Sequence, residues 1–169
     1  MEKTIKVINR MKKEGVIESY AVGGAMGVIF YVEPFTTYDL DIFFTIRSEQ
    51  SDLTILEPIY DYLRPLGYRP EGEAINIEGL PVQFLPVFNP LIDEAVEEAN
   101  ELRLNKTPVR VMRPEHLVAI MLATGRAKDF ARIDQFLQNS AVDLDSLSDL
   151  LSRHKLKRKW REFERKFLR

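Results

Sequence analysis

The chain has 169 residues, of which 45% are hydrophobic and 30% charged, and this composition is typical of a globular protein with a sizeable core. It contains no cysteine, which excludes a disulfide framework and a thiolate catalytic or metal site. The charged, amphipathic N-terminal segment is unlike a signal peptide, and no segment approaches the ~20 apolar residues that span a bilayer. We therefore expect a cytoplasmic protein with no membrane association.

The net charge of −2 is unevenly distributed along the chain. Residues 153–169 contain nine Lys or Arg and two acidic residues, which leaves an acidic remainder. The same segment carries apolar residues at helical spacing, namely Leu156, Trp160, Phe163 and Phe167. This spacing predicts a helix that docks its apolar side on the core and leaves its basic side in solvent. The alternative is that this basic tail binds RNA.

Hydrophobic periodicity predicts a helix over residues 4–16, followed by a buried strand in SYAVGG. A second helix in AMGVIFYV ends at Pro34, and the loop PFTT leads into the strand YDLDIFFTI. The next helix runs from Ser51, a plausible N-cap, to Leu66. A hairpin follows in EAINIEGLPVQFLPVF, with its turn at Glu78 and Gly79.

The segment NPLIDEAVEEANEL predicts a helix capped by Asn89, and KTPVRVM predicts a last strand. The chain then loses its strand pattern, and we expect four helices that start near Pro114, Ala127, Asp143 and Lys155. These elements indicate an α+β fold. They divide the chain into a mixed-sheet body, residues 1–112, and a helical C-terminal section, residues 113–169.

Asp39 and Asp41 lie two residues apart in a strand, so their carboxylates share one face, about 6–7 Å apart along the chain. In a partly apolar place they would repel each other and raise one pKa, and a divalent cation would relieve this conflict. The turn at Gly23 and Gly24 presents backbone N–H groups to a phosphate, with Thr37 as a neutral donor nearby. The pattern favours metal-dependent phosphoryl chemistry.

The order of these motifs, Val22-Gly23-Gly24 and then Asp39-Leu40-Asp41, resembles the nucleotidyltransferase superfamily of polymerase-beta-like palms, CCA-adding enzymes and aminoglycoside adenylyltransferases. The later stretch VRVMRPEHLVAIMLATGRAKDFARI is similar to bacterial minimal nucleotidyltransferase-like proteins, which include toxin components of abortive-infection systems. The resemblance covers nearly the whole chain. It implies a mixed sheet flanked by helices, with a helical section that closes one side of the cleft.

The resemblance also implies a reaction. Asp39 and Asp41 would bind Mg²⁺ or Mn²⁺ together with a nucleoside triphosphate such as ATP, and Gly23 and Gly24 would hold its phosphates. An acceptor hydroxyl, on a small molecule, RNA or protein, would attack the α-phosphate and release pyrophosphate. From the GRAKD cluster, Lys128 and Arg126 would reach the phosphates from across the cleft.

One position departs from the pattern of the superfamily. Many members carry a third carboxylate on a neighbouring strand, where this chain has Gln83, which can neither take a proton nor match a carboxylate as a ligand. Glu73, Glu78 or Asp129 could replace it in space, although Asp129 is equally well explained as a charge that stabilises a helix start. A catalytically weak nucleotide-binding or partner-binding protein of a toxin–antitoxin-like pair is therefore the alternative.

Two further expectations concern partners and metals. A protein partner or a homo-oligomer is compatible with the sequence, which identifies neither. His116 and His154 lie far apart and have no companion at ligand spacing, so we expect no zinc site and assign neither histidine a role.

Overall fold

The computed structural model describes residues 1–32, 36–47 and 54–168, which fold around one seven-stranded sheet. The helices are α1 Glu2–Lys13, α2 Gly24–Ile29, α3 Glu57–Leu63, α4 Pro90–Glu97, α5 Pro114–Thr124, α6 Ala127–Gln138, α7 Leu144–Arg153 and α8 Lys157–Phe167, with a 3₁₀ turn over Arg64–Leu66. The strands are β1 Ser19–Val22, β2 Leu40–Thr45, β3 Pro70–Glu71, β4 Ala74–Ile77, β5 Leu80–Pro86, β6 Asn100–Leu104 and β7 Thr107–Val111. In these ranges no helix has the length and apolar character needed to cross a membrane.

The strands lie in the order β3-β4-β5-β2-β1-β7-β6. Strand β2 pairs in parallel with β5, and β1 pairs in parallel with β7, while the other neighbours are antiparallel. The mixed sheet and the α+β class are confirmed. The predicted hairpin turn is also confirmed, because Glu78 and Gly79 both have positive φ, as a tight turn between two antiparallel strands requires.

The two faces of the sheet carry separate apolar cores. One core contains side chains of α1, α3 and the sheet, among them Ile8, Ile42 and Ile59. The other contains Phe43 from the opposite face of β2, together with side chains from α4 to α8 such as Leu117 and Phe136. This alternation along β2 places Asp41, two residues from Phe43, on the side of the sheet that the C-terminal helices cover.

The structure corrects the predicted helix between residues 89 and 102. Asn89 does cap α4, since its side chain accepts a hydrogen bond of 2.9 Å from the Ile92 N–H, but the helix ends at Glu97 and residues 100–104 form strand β6. The guanidinium of Arg110 donates to the carbonyls of Val96 and Glu97, and so satisfies the end of the helix. A contact with a residue far along the chain thus overrides the helical propensity of this segment.

The other predicted elements are present with shifted ends. Helix α1 spans residues 2–13, and the third helix begins at Glu57, while its expected cap Ser51 and the expected helix stop Pro34 lie outside the described residues. All four C-terminal helices are confirmed. Asp143 caps α7 by accepting a hydrogen bond from the Ser146 N–H. Of the apolar residues predicted to dock α8 on the core, Leu156 and Phe163 are buried and Trp160 is half-buried, whereas Phe167 is exposed.

A polar cluster centred on Glu94 ties α4 to the C-terminal helices. The carboxylate of Glu94 accepts hydrogen bonds from His116 of α5, from His154 directly after α7, and from Arg153. Glu94, Glu98 and His116 place ligand atoms within 4.8 Å of one another, as a metal site would. Because Arg153 and Arg113 already pair with the two glutamates, we interpret the cluster as a structural ion network.

We predict that Glu94→Gln destabilises the protein by about 1–3 kcal/mol at pH 7, because one neutral amide cannot satisfy three converging donors. Burial alone would raise the pKa of Glu94, but the bonds from His154 and Arg153 hold this pKa at about 2. Because the folded pKa lies below the ordinary value of 4.5, the carboxylate of Glu94 contributes its full stabilisation above pH 4.5. This stabilisation is lost progressively as the pH falls towards 2. Urea unfolding at pH 7 and pH 3 measures both effects.

The matched control is Glu97→Gln, which changes an exposed glutamate of the same helix. It should alter the free energy of unfolding by less than about 0.5 kcal/mol at either pH. Equal effects of the two substitutions would show that the Glu94 network contributes nothing specific.

Candidate functional site

A cleft of about 300 Å³ lies between β2 and β5 of the sheet and helices α5 and α6. Its floor is apolar and includes Phe43, Met112 and Leu117. Gly24 lies beside its polar side chains, which come from distant parts of the chain: Asp41, Gln83, Thr124, Arg126, Asp129 and Arg132. One wall of the cleft is therefore built by the sheet and the other by the C-terminal helices.

The Gly-Gly turn packs directly against Asp41. The Gly23 N–H donates a hydrogen bond of 3.0 Å to the backbone carbonyl of Asp41, and a Cβ at Gly23 would lie 2.6 Å from the ring of Phe43. Gly24 has a φ of +54°, and a Cβ there would lie 1.8 Å from Oδ2 of Asp41. Only glycine allows this approach. The Gly23 N–H is already bonded to the backbone of β2. The part of the turn that lies against the Asp41 carboxylate is therefore Gly24, where α2 begins.

The carboxyl of Asp41 is in an unfavourable environment for its negative charge. Burial and the nearby Asp39 raise its pKa to about 6, although Arg126, Lys128 and Arg132 act in the opposite direction. Asp39 itself is exposed, at the residue before β2 begins. A half-buried carboxylate with a raised pKa beside a second carboxylate fits a divalent cation, because a cation removes both the repulsion and the desolvation penalty.

A buried salt-bridge network forms the opposite wall of the cleft. The side chain of Asp129 is fully buried in the first turn of α6, and its Oδ2 lies 2.7 Å from Nε of Arg126. Its Oδ1 lies 3.3 Å from Nη1 of Arg132. Two guanidiniums around one carboxylate leave this wall with a net positive charge, facing Asp41.

Gln83 occupies the strand position next to Asp41. Residues 41 and 83 are paired in the register of the parallel strands β2 and β5, and both side chains line the cleft. The Gln83 amide donates a 3.4 Å hydrogen bond to Glu73, whereas Glu78 accepts from the hydroxyl of Tyr68. Three acids were candidates to replace a third carboxylate. Glu73 lies against Gln83, Glu78 instead pairs with Tyr68, and Asp129 lies within the cleft, where two arginines neutralise its charge.

The structure thus brings five predicted site residues into one lining: Gly24, Asp41, Gln83, Arg126 and Asp129. The other four predicted site residues are not part of this lining. Asp39 and Lys128 are exposed and act on Asp41 through their charges, Gly23 lies behind the turn, and Thr37 is half-buried on the segment that leads into β2.

Arg132 is a cleft residue that sequence reasoning missed. The available signal was its position three residues after Asp129, which places both side chains on one face of a helix. The GRAKD cluster identified only the first turn of α6, because nothing in the local sequence showed that the next helical turn also reaches the cleft.

No protein-family model matches the chain, and no curated protein matches it in sequence. Solved structures do resemble it. An antigenic nucleotidyltransferase-like protein from Paracoccidioides brasiliensis is 14% identical, with a TM-score of 0.61 over 93% of this chain and 88% of that one. The antibiotic-resistance factor ANT(2'')-Ia is 14% identical, with a TM-score of 0.54 over 98% of both chains.

The polyadenylate synthase of Megavirus is also 14% identical, with a TM-score of 0.50 over 83% of this chain and 31% of that one. The chain has the nucleotidyltransferase fold. The resemblance inferred from the Gly-Gly and Asp-x-Asp motifs is therefore confirmed at the level of the nucleotidyltransferase fold. The same motifs meet where Gly24 approaches Asp41.

We predict that Asp41→Asn stabilises the protein at pH 8 and has little effect near pH 4. The folded pKa of about 6 exceeds the ordinary value of 3.8, so the charged carboxylate opposes folding above pH 6, and this penalty disappears as the pH falls towards 3.8. A rise in pKa of this size corresponds to at most roughly 3 kcal/mol. Thermal unfolding in the presence of a chelator measures the difference at each pH.

The control is Asp61→Asn, which removes an exposed carboxylate of α3 whose ion pair with Arg64 is solvated. It should leave the midpoint of thermal unfolding nearly unchanged at both pH values. If Asp41→Asn lowers that midpoint at pH 8, the carboxylate is stabilised by its surroundings and the electrostatic description is wrong.

Proposed function

We propose that this protein transfers a nucleoside monophosphate from a nucleoside triphosphate to an acceptor hydroxyl. The observation that carries the proposal is the close approach of Gly24 to Asp41, because it places a strand-to-helix turn directly against a carboxylate in a cleft. A triphosphate at the turn would have its phosphates beside the carboxylate pair and opposite the arginines of α6. The nucleotidyltransferase fold supports the same class of reaction.

In this proposal Asp39 and Asp41 hold a divalent cation, with Mg²⁺ as the first candidate because it prefers one or two carboxylates together with phosphate oxygens. When bound, the cation would neutralise charge on the phosphates during displacement. Arg126 and Lys128 would contribute positive charge from the other side. The acceptor oxygen forms a bond to the α-phosphorus, the bond to the bridging oxygen breaks, and pyrophosphate leaves with the electron pair.

The proton of the acceptor hydroxyl needs a base, and the amide of Gln83 cannot serve as one. Glu73 is the carboxylate that Gln83 contacts, while Asp129 is engaged by two arginines. The glutamine at position 83 favours a second candidate function. In this alternative the chain binds nucleotide or a protein partner but has weak catalytic activity, as one component of a toxin–antitoxin-like pair. Nucleotide binding and turnover must therefore be measured separately.

We expect ATP, GTP, CTP or UTP to bind the wild-type protein in the micromolar range when Mg²⁺ is present, and much more weakly in a chelator. The double substitution Asp39→Asn/Asp41→Asn should abolish the metal-dependent part of this affinity. Isothermal titration calorimetry of each nucleotide, with and without the metal, measures both effects.

The substitution Asp61→Asn serves again as the control, and should leave nucleotide binding unchanged. Equal binding with and without the metal would refute the role of the carboxylate pair. Absence of binding by every nucleotide would refute the proposed transferase and favour the partner-binding candidate. Binding without pyrophosphate release, in the presence of RNA, protein and small-molecule hydroxyl acceptors, would favour the catalytically weak candidate.

The basic helix α8 motivates a proposal about the acceptor. Its Lys and Arg side chains are exposed, while Phe163 packs against Phe130 of α6, whose backbone N–H donates to the carbonyl of Arg126. The fold neighbours do not decide the acceptor, since one is in complex with adenylyl-2''-tobramycin and another is a polyadenylate synthase. We propose RNA as the acceptor class to test first.

Replacing Arg158, Arg161 and Arg165 by Gln should weaken RNA binding. It should also reduce the slope of log K against log salt concentration by about 0.7 for each phosphate that is no longer neutralised. Fluorescence anisotropy with a labelled single strand over a range of salt concentrations measures the slope. A matched control replaces three exposed basic residues of α1 by Gln: Lys3, Lys6 and Arg10. Equal effects of the two triple variants would refute a specific role of α8.

A further inference from the structure

The two edges of the sheet differ in how they are protected against pairing with another strand. An edge strand carries a row of unpaired N–H and C=O groups, and proteins commonly block such an edge with proline or by keeping the strand very short. The edge strand β3 is protected in both ways, because it consists of Pro70–Glu71 alone. The opposite edge strand, β6, has five residues and no proline. It is therefore the edge that can accept a further strand.

The pairing of β6 with β7 determines which backbone groups of β6 face outwards. Alternate residues of a strand direct their N–H and C=O groups to opposite neighbours. The Met112 N–H donates to the Val22 carbonyl of β1, so every second residue of β7 before it also faces β1, and the residues between them face β6. In the register of the hairpin, those residues pair with residues 100, 102 and 104. The backbone groups of Glu101 and Arg103 therefore point to the free edge.

The side chains of Glu101 and Arg103 are exposed and opposite in charge. They project from the face of the sheet opposite to Leu102, which packs against the core on the α1 side. Their contacts within the chain are long. Oε1 of Glu101 lies 3.8 Å from Nη1 of Arg110, and Nη1 of Arg103 lies 3.4 Å from the carbonyl oxygen of Lys106. Both charges are thus accessible to a strand that pairs with this edge.

A second copy of the same strand complements this edge in one register. When two copies of β6 run antiparallel with their Leu102 residues opposite each other, Glu101 of each copy lies opposite Arg103 of the other. These are the residues whose backbone groups point outwards, so each pair can exchange both of its N–H···O bonds. Centring the pairing on Glu101 or on Arg103 instead would place like charges opposite each other, which is destabilising. The charge pattern therefore selects the register centred on Leu102.

We propose that β6 is a self-association surface, through which two copies of this chain pair as an antiparallel dimer centred on Leu102. The sheet then continues from one copy into the other, and two Glu101–Arg103 pairs fix the register. Strands β1 and β7 lie between β6 and strand β2 of the cleft, and the interface uses no residue that lines the cleft. The dimer is therefore independent of the proposed function.

Sedimentation velocity of the full chain, from about 1 µM to about 1 mM, should show a species with twice the chain mass of 19.6 kDa. Glu101→Arg places arginine opposite arginine, and Arg103→Glu places glutamate opposite glutamate. Each variant alone should therefore dimerise about tenfold more weakly than the wild type, or less. An equimolar mixture of the two variants has opposite charges at both pairs and should form a heterodimer as readily as the wild type forms its dimer. The double variant Glu101→Arg/Arg103→Glu should also recover dimerisation.

The control is Lys157→Glu, which makes the same charge change as Arg103→Glu at an exposed position of α8. It should leave dimerisation unchanged. A wild-type chain that stays monomeric at every concentration overturns the proposal. A dimer that both single variants leave intact, or a mixture that does not form the heterodimer, also overturns it.

Amide hydrogen exchange of the wild type tests the register without any substitution. The N–H groups of Glu101 and Arg103 should be protected only at concentrations at which the dimer forms. Those of Leu102 and Leu104 are bonded to β7 and should be protected in the monomer as well. Thermal unfolding establishes that each variant is folded, and if one is not, this exchange pattern decides the question. Exchange at Glu101 and Arg103 that does not slow as the dimer forms overturns the assignment of β6.

Discussion

The close approach of Gly24 to the carboxylate of Asp41 is the constraint on which the rest of the site depends. The turn must pass through a positive φ with no side chain, since a Cβ would overlap Oδ2. The N–H of Gly23 then attaches the turn to the backbone of β2. Two motifs about fifteen residues apart in sequence thus form one surface, whose carboxylate carries a pKa raised to about 6 by burial and by Asp39.

The wall of the cleft formed by the C-terminal helices stays in place because its apolar side chains share a core with those of the sheet. Phe43 of β2 and Met112 after β7 belong to the same apolar cluster as Leu117 and Phe136 of the C-terminal helices. The network centred on Glu94 adds polar ties from α4 to α5 and to the end of α7. The helical section is therefore held against the sheet by apolar packing and hydrogen bonds, and α6 presents its buried carboxylate at a defined place.

Local patterns were sufficient for most elements and for the face of β2 on which Asp41 lies, because alternation in β2 and helical periodicity reflect which face of an element is buried. Asp39, predicted within the same strand, lies one residue before it and is exposed. They failed where the decisive contact is distant in sequence. The segment after α4 was expected to continue as a helix, but Arg110 satisfies the helix end and the chain pairs with β7. Likewise, His116 and His154 have no local companion, yet both reach Glu94.

The charge balance of the cleft gives Gln83 a physical role in the proposed reaction. Asp39, Asp41 and Asp129 contribute three negative charges, and Arg126, Lys128 and Arg132 contribute three positive ones. A carboxylate at position 83, paired in register with Asp41, would raise the pKa of Asp41 further and would require additional positive charge. With glutamine there, position 83 adds no charge to these six groups, and its amide instead donates to the nearby carboxylate of Glu73. In the proposed reaction, glutamine at position 83 would therefore limit proton removal, because its amide is not a base, while it would add no repulsion to the carboxylates proposed to hold the cation.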